Sequence, residues 1–301
     1  MKRRRSSTQK PNWAIEHLPY EHLLNERLIG QPEACSIIAG VMAALVTRQK
    51  TKVNIPLPRV LVVGPTSSGK SYLAEQVRQI LNLPTATINA TALTSPGYKG
   101  LNVSEALRPL YENDRVRRGD APSLIIIDEI DKLAHRADSD DWIKHVEYNL
   151  LPILNGDPVQ LSDLSDTDYG YAANELRTTN ALVLAMGVFN GVRPTQWQKH
   201  QTSQLALRNF GFGDEFVSRF SHFVPLTQPN RKAVCQMVLR EGEQASQMYS
   251  IKSWRPELTP MQIEGLAVEA LKSPFGIRGV RGRIHQILFK QAKESAVSRL
   301  F

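Results

Sequence analysis

The sequence predicts an α/β protein: a layered parallel sheet flanked by helices, followed by a small all-helical domain. Three observations carry this. Apolar runs at 59–63, 123–128 and 181–188 are nearly continuous, as in strands covered on both faces. Helical periodicity falls between the strands, an alternation that builds a parallel sheet. Beyond Pro229 only helical periodicity remains.

The elements follow in order. Helical spacing at 31–49 precedes the strand RVLVV (59–63), and a helix over 69–81 leads to TATIN (85–89). A helix over 103–118 precedes SLIIID (123–128), and another over 141–154 follows it. Residues 156–180 hold Gly156, Asp157, Asp163, Asp166, Asp168 and Gly170 without clear periodicity, and read as a long loop or hairpin. ALVLAMGV (181–188) and the short HFVPL (222–226) complete the strands. Helices over 229–249, 259–272 and 278–299 make the second domain. Thr259-Pro260-Met261-Gln262 is a helix start, with Thr as N-cap, Pro first in the helix and Gln three after the cap. The expected organisation is a basic tail over 1–12, an α/β domain over 13–228 and a helical domain over 229–301.

Composition narrows the function classes. Hydrophobic residues are 42% and charged residues 22% of 301, the balance of a soluble globular chain. No apolar run approaches the ~20 residues that span a bilayer, so no membrane role is expected. The start has no apolar region of the secretory kind. Cys35 and Cys235 cannot form a four-ligand zinc site and read as ordinary thiols of a reducing, cytoplasmic protein. Five of the eight net positive charges come from Lys2, Arg3, Arg4, Arg5 and Lys10. That tail reads either as a solvated terminus or as a tether to nucleic acid or an acidic partner.

Two segments carry chemistry. In VLVVGPTSSGKSYLAE (60–75), Gly64, Gly69, Lys70 and Ser71 fit G-x-x-x-x-G-K-[ST], after a strand and at the start of a helix. The glycines let backbone N–H groups face phosphates. Lys70 adds charge at the β- and γ-phosphates, and Ser71 offers a hydroxyl to Mg²⁺. The nucleotide cradle is expected to comprise Gly64, Pro65, Thr66, Ser67, Ser68, Gly69, Lys70, Ser71 and Tyr72. In SLIIIDEIDK (123–132), Asp128 ends a buried strand next to the phosphate loop and suits a magnesium ion. Glu129 beside it suits a general base that polarises water. Together they point to hydrolysis of a nucleotide with Mg²⁺, in preference to the transfer a small-molecule kinase performs.

With LIIIDEIDK beside GPTSSGKS, the chain resembles the AAA+ ATPases of the ClpX/HslU branch, from about residue 13 to the end. Leu28-Ile29-Gly30-Gln31-Pro32 resembles the family's segment that packs on adenine, with Ile29 as the apolar contact. Ser95-Pro96-Gly97-Tyr98-Lys99-Gly100 resembles the loop that faces the central pore, with Tyr98 as the grip on substrate. Lys99 stands where the family has an aliphatic residue, which would favour acidic polymers. Gly213–Phe220 resembles the segment whose arginine reaches a neighbouring subunit's γ-phosphate, which makes Arg219 the arginine-finger candidate. Gly276-Ile277-Arg278-Gly279-Val280-Arg281 resembles the sensor-2 motif, with Arg278 directed to the phosphates and Arg281 and Arg283 structural or solvated.

The resemblance implies a homo-oligomeric, hexameric ring that pulls a polypeptide through its pore. Departures bound it. The chain has no cysteine-rich zinc segment before the core, and the stretch Asn190–Gly213 is too short for the loop that docks the ClpP peptidase. The 156–180 segment is acidic where the family's second pore loop is basic, and Met186 stands near the usual polar sensor-1 position, with Asn190 as the nearest substitute. The expectation is a ClpX-like unfoldase or remodelling motor working without ClpP. The alternative is a nucleic-acid-associated AAA+ ATPase, a loader or a transposition or recombination regulator. The tail, Lys99, Arg48-Gln49-Lys50 and Arg115-Val116-Arg117-Arg118 motivate that alternative.

Overall fold

The computed structural model describes residues 18–51, 57–93, 103–135, 140–161, 175–250 and 254–297. Tyr98, Lys99, the basic tail and residues 162–174 of the acidic segment lie outside them. Five strands form one sheet in the order β2-β3-β6-β1-β7: β1 Arg59–Val63, β2 Thr85–Asn89, β3 Ser123–Asp128, β6 Ala181–Gly187 and β7 His222–Pro225. Every neighbouring pair in it is parallel. β1, β6 and all of β3 but Asp128 are buried along their length, which explains their uninterrupted apolar runs.

The helices fall between the strands. They are α1 Leu18–Arg27, α2 Pro32–Thr51, α3 Lys70–Leu81, α4 Val103–Tyr111, α5 Asp114–Arg117, α6 Asp140–Asn155, α7 His200–Phe210 and α8 Asp214–Ser218. The single helix expected over 103–118 is in fact two. Asn113 accepts a hydrogen bond from the Val116 amide, and so caps a new turn instead of continuing α4. The acidic segment is based on a hairpin: β4 Pro158–Gln160 pairs antiparallel with β5 Glu175–Arg177.

By its contacts the chain divides into two compact units. The first holds the sheet and α1 to α8, over Met1–Arg27, Glu33–Gly64 and Lys70–Leu226. The second joins Leu28–Pro32 and Pro65–Gly69 to Thr227–Phe301. Its helices are α9 Arg231–Met248, α10 Pro260–Lys272 and α11 Ile277–Val297, packed around Val238, Leu266, Ile284 and Leu288. α10 begins with the expected capping box, Thr259 and Gln262 each satisfying the other's backbone amide.

Two polar features brace the first unit. Arg59 is 5% exposed, and its guanidinium donates to Leu154 O at 2.9 Å, Ala181 O at 2.7 Å and Leu57 O at 3.4 Å. Burial, and then Arg48, lower its pKa to about 10. Glu147 of α6 is also buried, and both carboxylate oxygens accept from the Gly213 amide at 3.4 Å. Burial raises its pKa above the usual carboxylate range, against the pull of that N–H. Cys35 is a buried core thiol pushed up to about 11, chiefly by burial and then by Glu21.

Candidate nucleotide site

β1 delivers the chain to Gly64, whose amide donates to Gly187 O at the end of β6 at 3.3 Å. The loop then turns tightly. Ser67 takes φ 65° and Gly69 φ 102°, both left-handed. Gly69 is needed twice over: a side chain would be strained there, and its Cβ would sit 3.2 Å from Leu28 Cδ1. α3 starts at Lys70, so the loop runs directly into a helix N-terminus, whose unpaired amides suit an anion. Lys70 Nζ donates to Gly64 O at 2.7 Å, closing the loop on itself. Pro65, Thr66, Ser71 and Tyr72 are exposed. The hydroxyls of Ser67 and Ser68 are buried without a hydrogen-bond partner among the described residues. Such orphaned hydroxyls beside a left-handed loop fit a phosphate group.

β3 delivers Asp128 and Glu129 to the same, carboxyl-terminal edge of the sheet. The strand order separates β3 from β1 by β6, so the expected direct neighbourhood of the two motifs is one strand wider. Val62 pairs with Met186 and Ile127 with Ala185, which sets Asp128 level with the last residues of β1. Asp128 Oδ1 accepts from the Glu129 amide at 2.9 Å. Burial raises the Asp128 pKa, and Glu129 and Asp131 add to that rise. The Glu129 amide and the Lys70 charge oppose it. A half-buried carboxylate crowded by acids and facing a lysine suits an Mg²⁺ ion. Glu129 is exposed at φ 57°, a backbone outlier at the head of the acidic cluster.

Sequence reasoning missed what holds Glu129. The single hydroxyl proton of Thr91 is shared between Asn89 Oδ1 at 2.6 Å and Glu129 Oε2 at 3.2 Å, and Asn89 Oδ1 also accepts from the Thr91 amide at 2.9 Å. Asn89 ends β2 and pairs in register with Asp128. The polar end of TATIN was the available signal. Asp131, 1% exposed, lies below this cluster. Its Oδ1 has no hydrogen-bond partner among the described residues and crowds Gly187, where a Cβ would come within 2.9 Å. Met186 is buried inside β6 and Asn190 is exposed in the following turn.

The remaining candidates lie on separate elements. Arg219 caps the C-terminus of α8, a short helix seated on the stacked rings of Phe212 and Phe216 and the edge of Phe220. One guanidinium nitrogen of Arg219 pairs with Glu215 at 3.1 Å, while its Nε is buried without a partner among the described residues. In the second unit Ile29 is half-buried in a turn, and Gln31 is 4% exposed. Gln31 Nε2 donates to Thr227 O at 2.6 Å and to Ser68 O at 3.4 Å. Arg278 is exposed in the first turn of α11, just after Gly276. Gly276 is left-handed at φ 53°, and a Cβ there would meet Ser67 Cβ at 3.0 Å. Arg281 pairs with Glu241 and Arg283 with Glu269, both arginines being solvent-exposed.

The family model of the ATPase family associated with various cellular activities (AAA) matches residues 60–186, which run from β1 to β6. The chain is thus similar to the AAA ATPases, and to the ClpX proteins among them. It is 26% identical over 265 residues to the ATP-dependent Clp protease ATP-binding subunit ClpX 2 of Wolinella succinogenes, covering 78% of this chain and 66% of the relative. It is 28% identical over 279 residues to ClpX 3 of Methylococcus capsulatus, covering 79% of this chain and 64% of the relative. The chain spans slightly less than two thirds of either relative's length. Among its described residues no helix is long and apolar enough to cross a membrane.

Proposed function

We propose that the protein is an Mg-ATP-driven remodelling motor that assembles as a hexameric ring and draws a polypeptide through its pore without an attached ClpP peptidase. One observation carries the reading. Lys70 at the head of α3 and Asp128 and Glu129 at the end of β3 share one edge of one parallel sheet. Lys70 would neutralise the β- and γ-phosphates, and Ser71 and Asp128 would hold Mg²⁺, which supplies further charge neutralisation. Glu129, held by Thr91, would take a proton from the attacking water. Ile29 would pack on the base, and Arg278 would sense the phosphates.

Arg219 supports the ring. Its ion pair with Glu215 at 3.1 Å is solvent-exposed and weak, which leaves the terminal guanidinium nitrogens able to turn to an acceptor brought by another subunit. Tyr98, with Lys99 beside it, would grip the polypeptide, as the family resemblance implies. The names of the relatives, ATP-binding subunits of a Clp protease, accord with the motor part of this reading.

The test is steady-state ATP hydrolysis against protein concentration, with native mass in ATP, for wild type and Arg219→Ala. Activity should rise cooperatively with the hexamer and fall by ~10³-fold in the variant while ATP binding persists. Linear activity from a wild-type monomer sinks the ring.

A nucleic-acid-associated ATPase, a loader or a transposition or recombination regulator, is the second reading, favoured by the five cations of residues 1–10. Its other support weakens at Arg117 and Arg118, which pair with Asp114 and Asp120. Salt-dependent DNA affinity that disappears on removing residues 1–10 would favour it.

A further inference from the structure

We propose that Gln31 is a positioning residue of the nucleotide site: it clasps the phosphate-binding loop to the strand exit at Thr227 and so aims the Gly69 amide at the phosphates. The proposal rests on the nucleotide-site reading above and names a device within it.

The side-chain amide of Gln31 behaves as an inserted peptide group. Its Oε1 accepts from the Thr227 amide at 3.1 Å and from Thr227 Oγ1 at 3.4 Å. Its Nε2 donates to Thr227 O at 2.6 Å and to Ser68 O at 3.4 Å. Both donors and both acceptor directions of a side chain only 4% exposed are used. No shorter or purely apolar side chain reproduces that set.

The consequence for the loop follows from peptide geometry. The Ser68 carbonyl and the Gly69 N–H belong to one planar unit and point in opposite directions. Holding Ser68 O on Gln31 therefore turns the Gly69 N–H away from it, into the cradle at the head of α3. Gly69 is the loop residue least able to hold its own orientation, because a glycine at φ 102° has the widest conformational choice. The base of the clasp is itself fixed. Gly30, left-handed at φ 81°, packs so closely that a Cβ would meet Ala233 Cβ at 3.0 Å. Leu28 lies against Gly69 from the same turn. All of these contacts lie within the second unit.

The decisive experiment compares wild type, Gln31→Ala and Gln31→Glu. Gln31→Glu keeps size and the acceptor for the Thr227 amide but loses the donor to Ser68 O and Thr227 O. Amide exchange without nucleotide should run at least tenfold faster at Thr227 in Gln31→Ala, which removes the acceptor of that N–H, and not in Gln31→Glu, with α10 unchanged in both. The KM for ATP and the Kd of a fluorescent ATP analogue should rise about tenfold, the worth of roughly one or two buried hydrogen bonds, while kcat at saturating ATP stays within twofold. A general loss of structure would instead lower kcat and speed exchange throughout. Acidification should rescue Gln31→Glu relative to wild type at the same pH, because the introduced carboxyl can donate again once protonated, and should not rescue Gln31→Ala. Should Gln31→Ala fail to fold, Gln31→Glu carries the test. Unchanged exchange at Thr227 in Gln31→Ala, or a fall in kcat with no change in KM in either variant, overturns the clasp. If wild type itself binds no nucleotide, the proposed function fails, and exchange at Thr227 still decides whether the clasp exists.

Discussion

Gly276→Ala tests the join between the start of α11 and the phosphate-binding loop. At φ 53° an alanine costs about 1–2 kcal/mol more than glycine. The new Cβ would meet Ser67 Cβ at 3.0 Å, so one of the two must give by a few tenths of an ångström. Ser67 is the weaker side, because it is already left-handed at φ 65° and its hydroxyl has no partner among the described residues. Overlap of this size adds roughly 1 kcal/mol. The combined loss, about 2–3 kcal/mol, corresponds to a fall in Tm of about 4–12 °C for a chain of this size. Because the displaced atom belongs to the loop, the KM for ATP should rise about three- to tenfold as well. Gly282→Ala is the matched control. It lies inside α11, has nothing within 4 Å of its Cβ position, and should gain about 0.5–1 kcal/mol. Thermal unfolding and ATP kinetics on both variants read the outcome. Equal behaviour of the two would refute both the left-handed turn and its contact with Ser67.

Three further outcomes are expected. Glu129→Gln should keep ATP affinity within about threefold and lower kcat by ~10²–10⁴-fold, read by single-turnover hydrolysis beside a binding titration; retained turnover would remove Glu129 from the general-base role. Arg59→Met should destabilise by about 2–4 kcal/mol in urea, because three buried carbonyls lose a charged donor, with KM for ATP unchanged. The raised pKa of Glu147 means that the native state holds a proton which the unfolded chain has released. Its contribution to stability is therefore greatest below the ordinary glutamate value and is lost as pH rises through the raised one. Stability curves against pH should lose that fall in Glu147→Gln, and an identical slope in wild type and variant would count against burial as its cause.

β1, β3 and β6 were legible because each is a short apolar run that pairs on both sides, so that burial alone dictates composition; β2 and β7 lie at the sheet's edges and were read from shorter, more mixed runs. Charge and spacing made Lys70, Ser71, Asp128 and Glu129 legible too. α7 was not. HQTSQLALRNF buries only Ser203, Ala206 and Leu207, and Lys199 gives it no side-chain cap, so neither periodicity nor a start signal stands out. The break at Asn113 was hidden because α4 and α5 together keep an unbroken helical spacing. Thr91 and Gln31 escaped for another reason. Their bonds join residues 38 and 196 apart in the chain, and no local pattern encodes such a meeting. The polar residues that complete the site are therefore those whose partners only the fold supplies.

The pinning of α6 bears on how force would travel. Its 16 residues make a rod of about 24 Å. The rod follows the turn behind Glu129 and ends at the hairpin. Glu147 fastens it midway to the start of α8, and Arg59 fastens its last turn to the opposite margin of the sheet. Thr178 Oγ1 then ties the hairpin base back to Asp157 O at 2.9 Å. The first two ties stand on either side of Pro152, the place where this helix would otherwise bend. The hairpin's base is thereby fastened to the sheet, and would follow its movement and not swing on a hinge of its own.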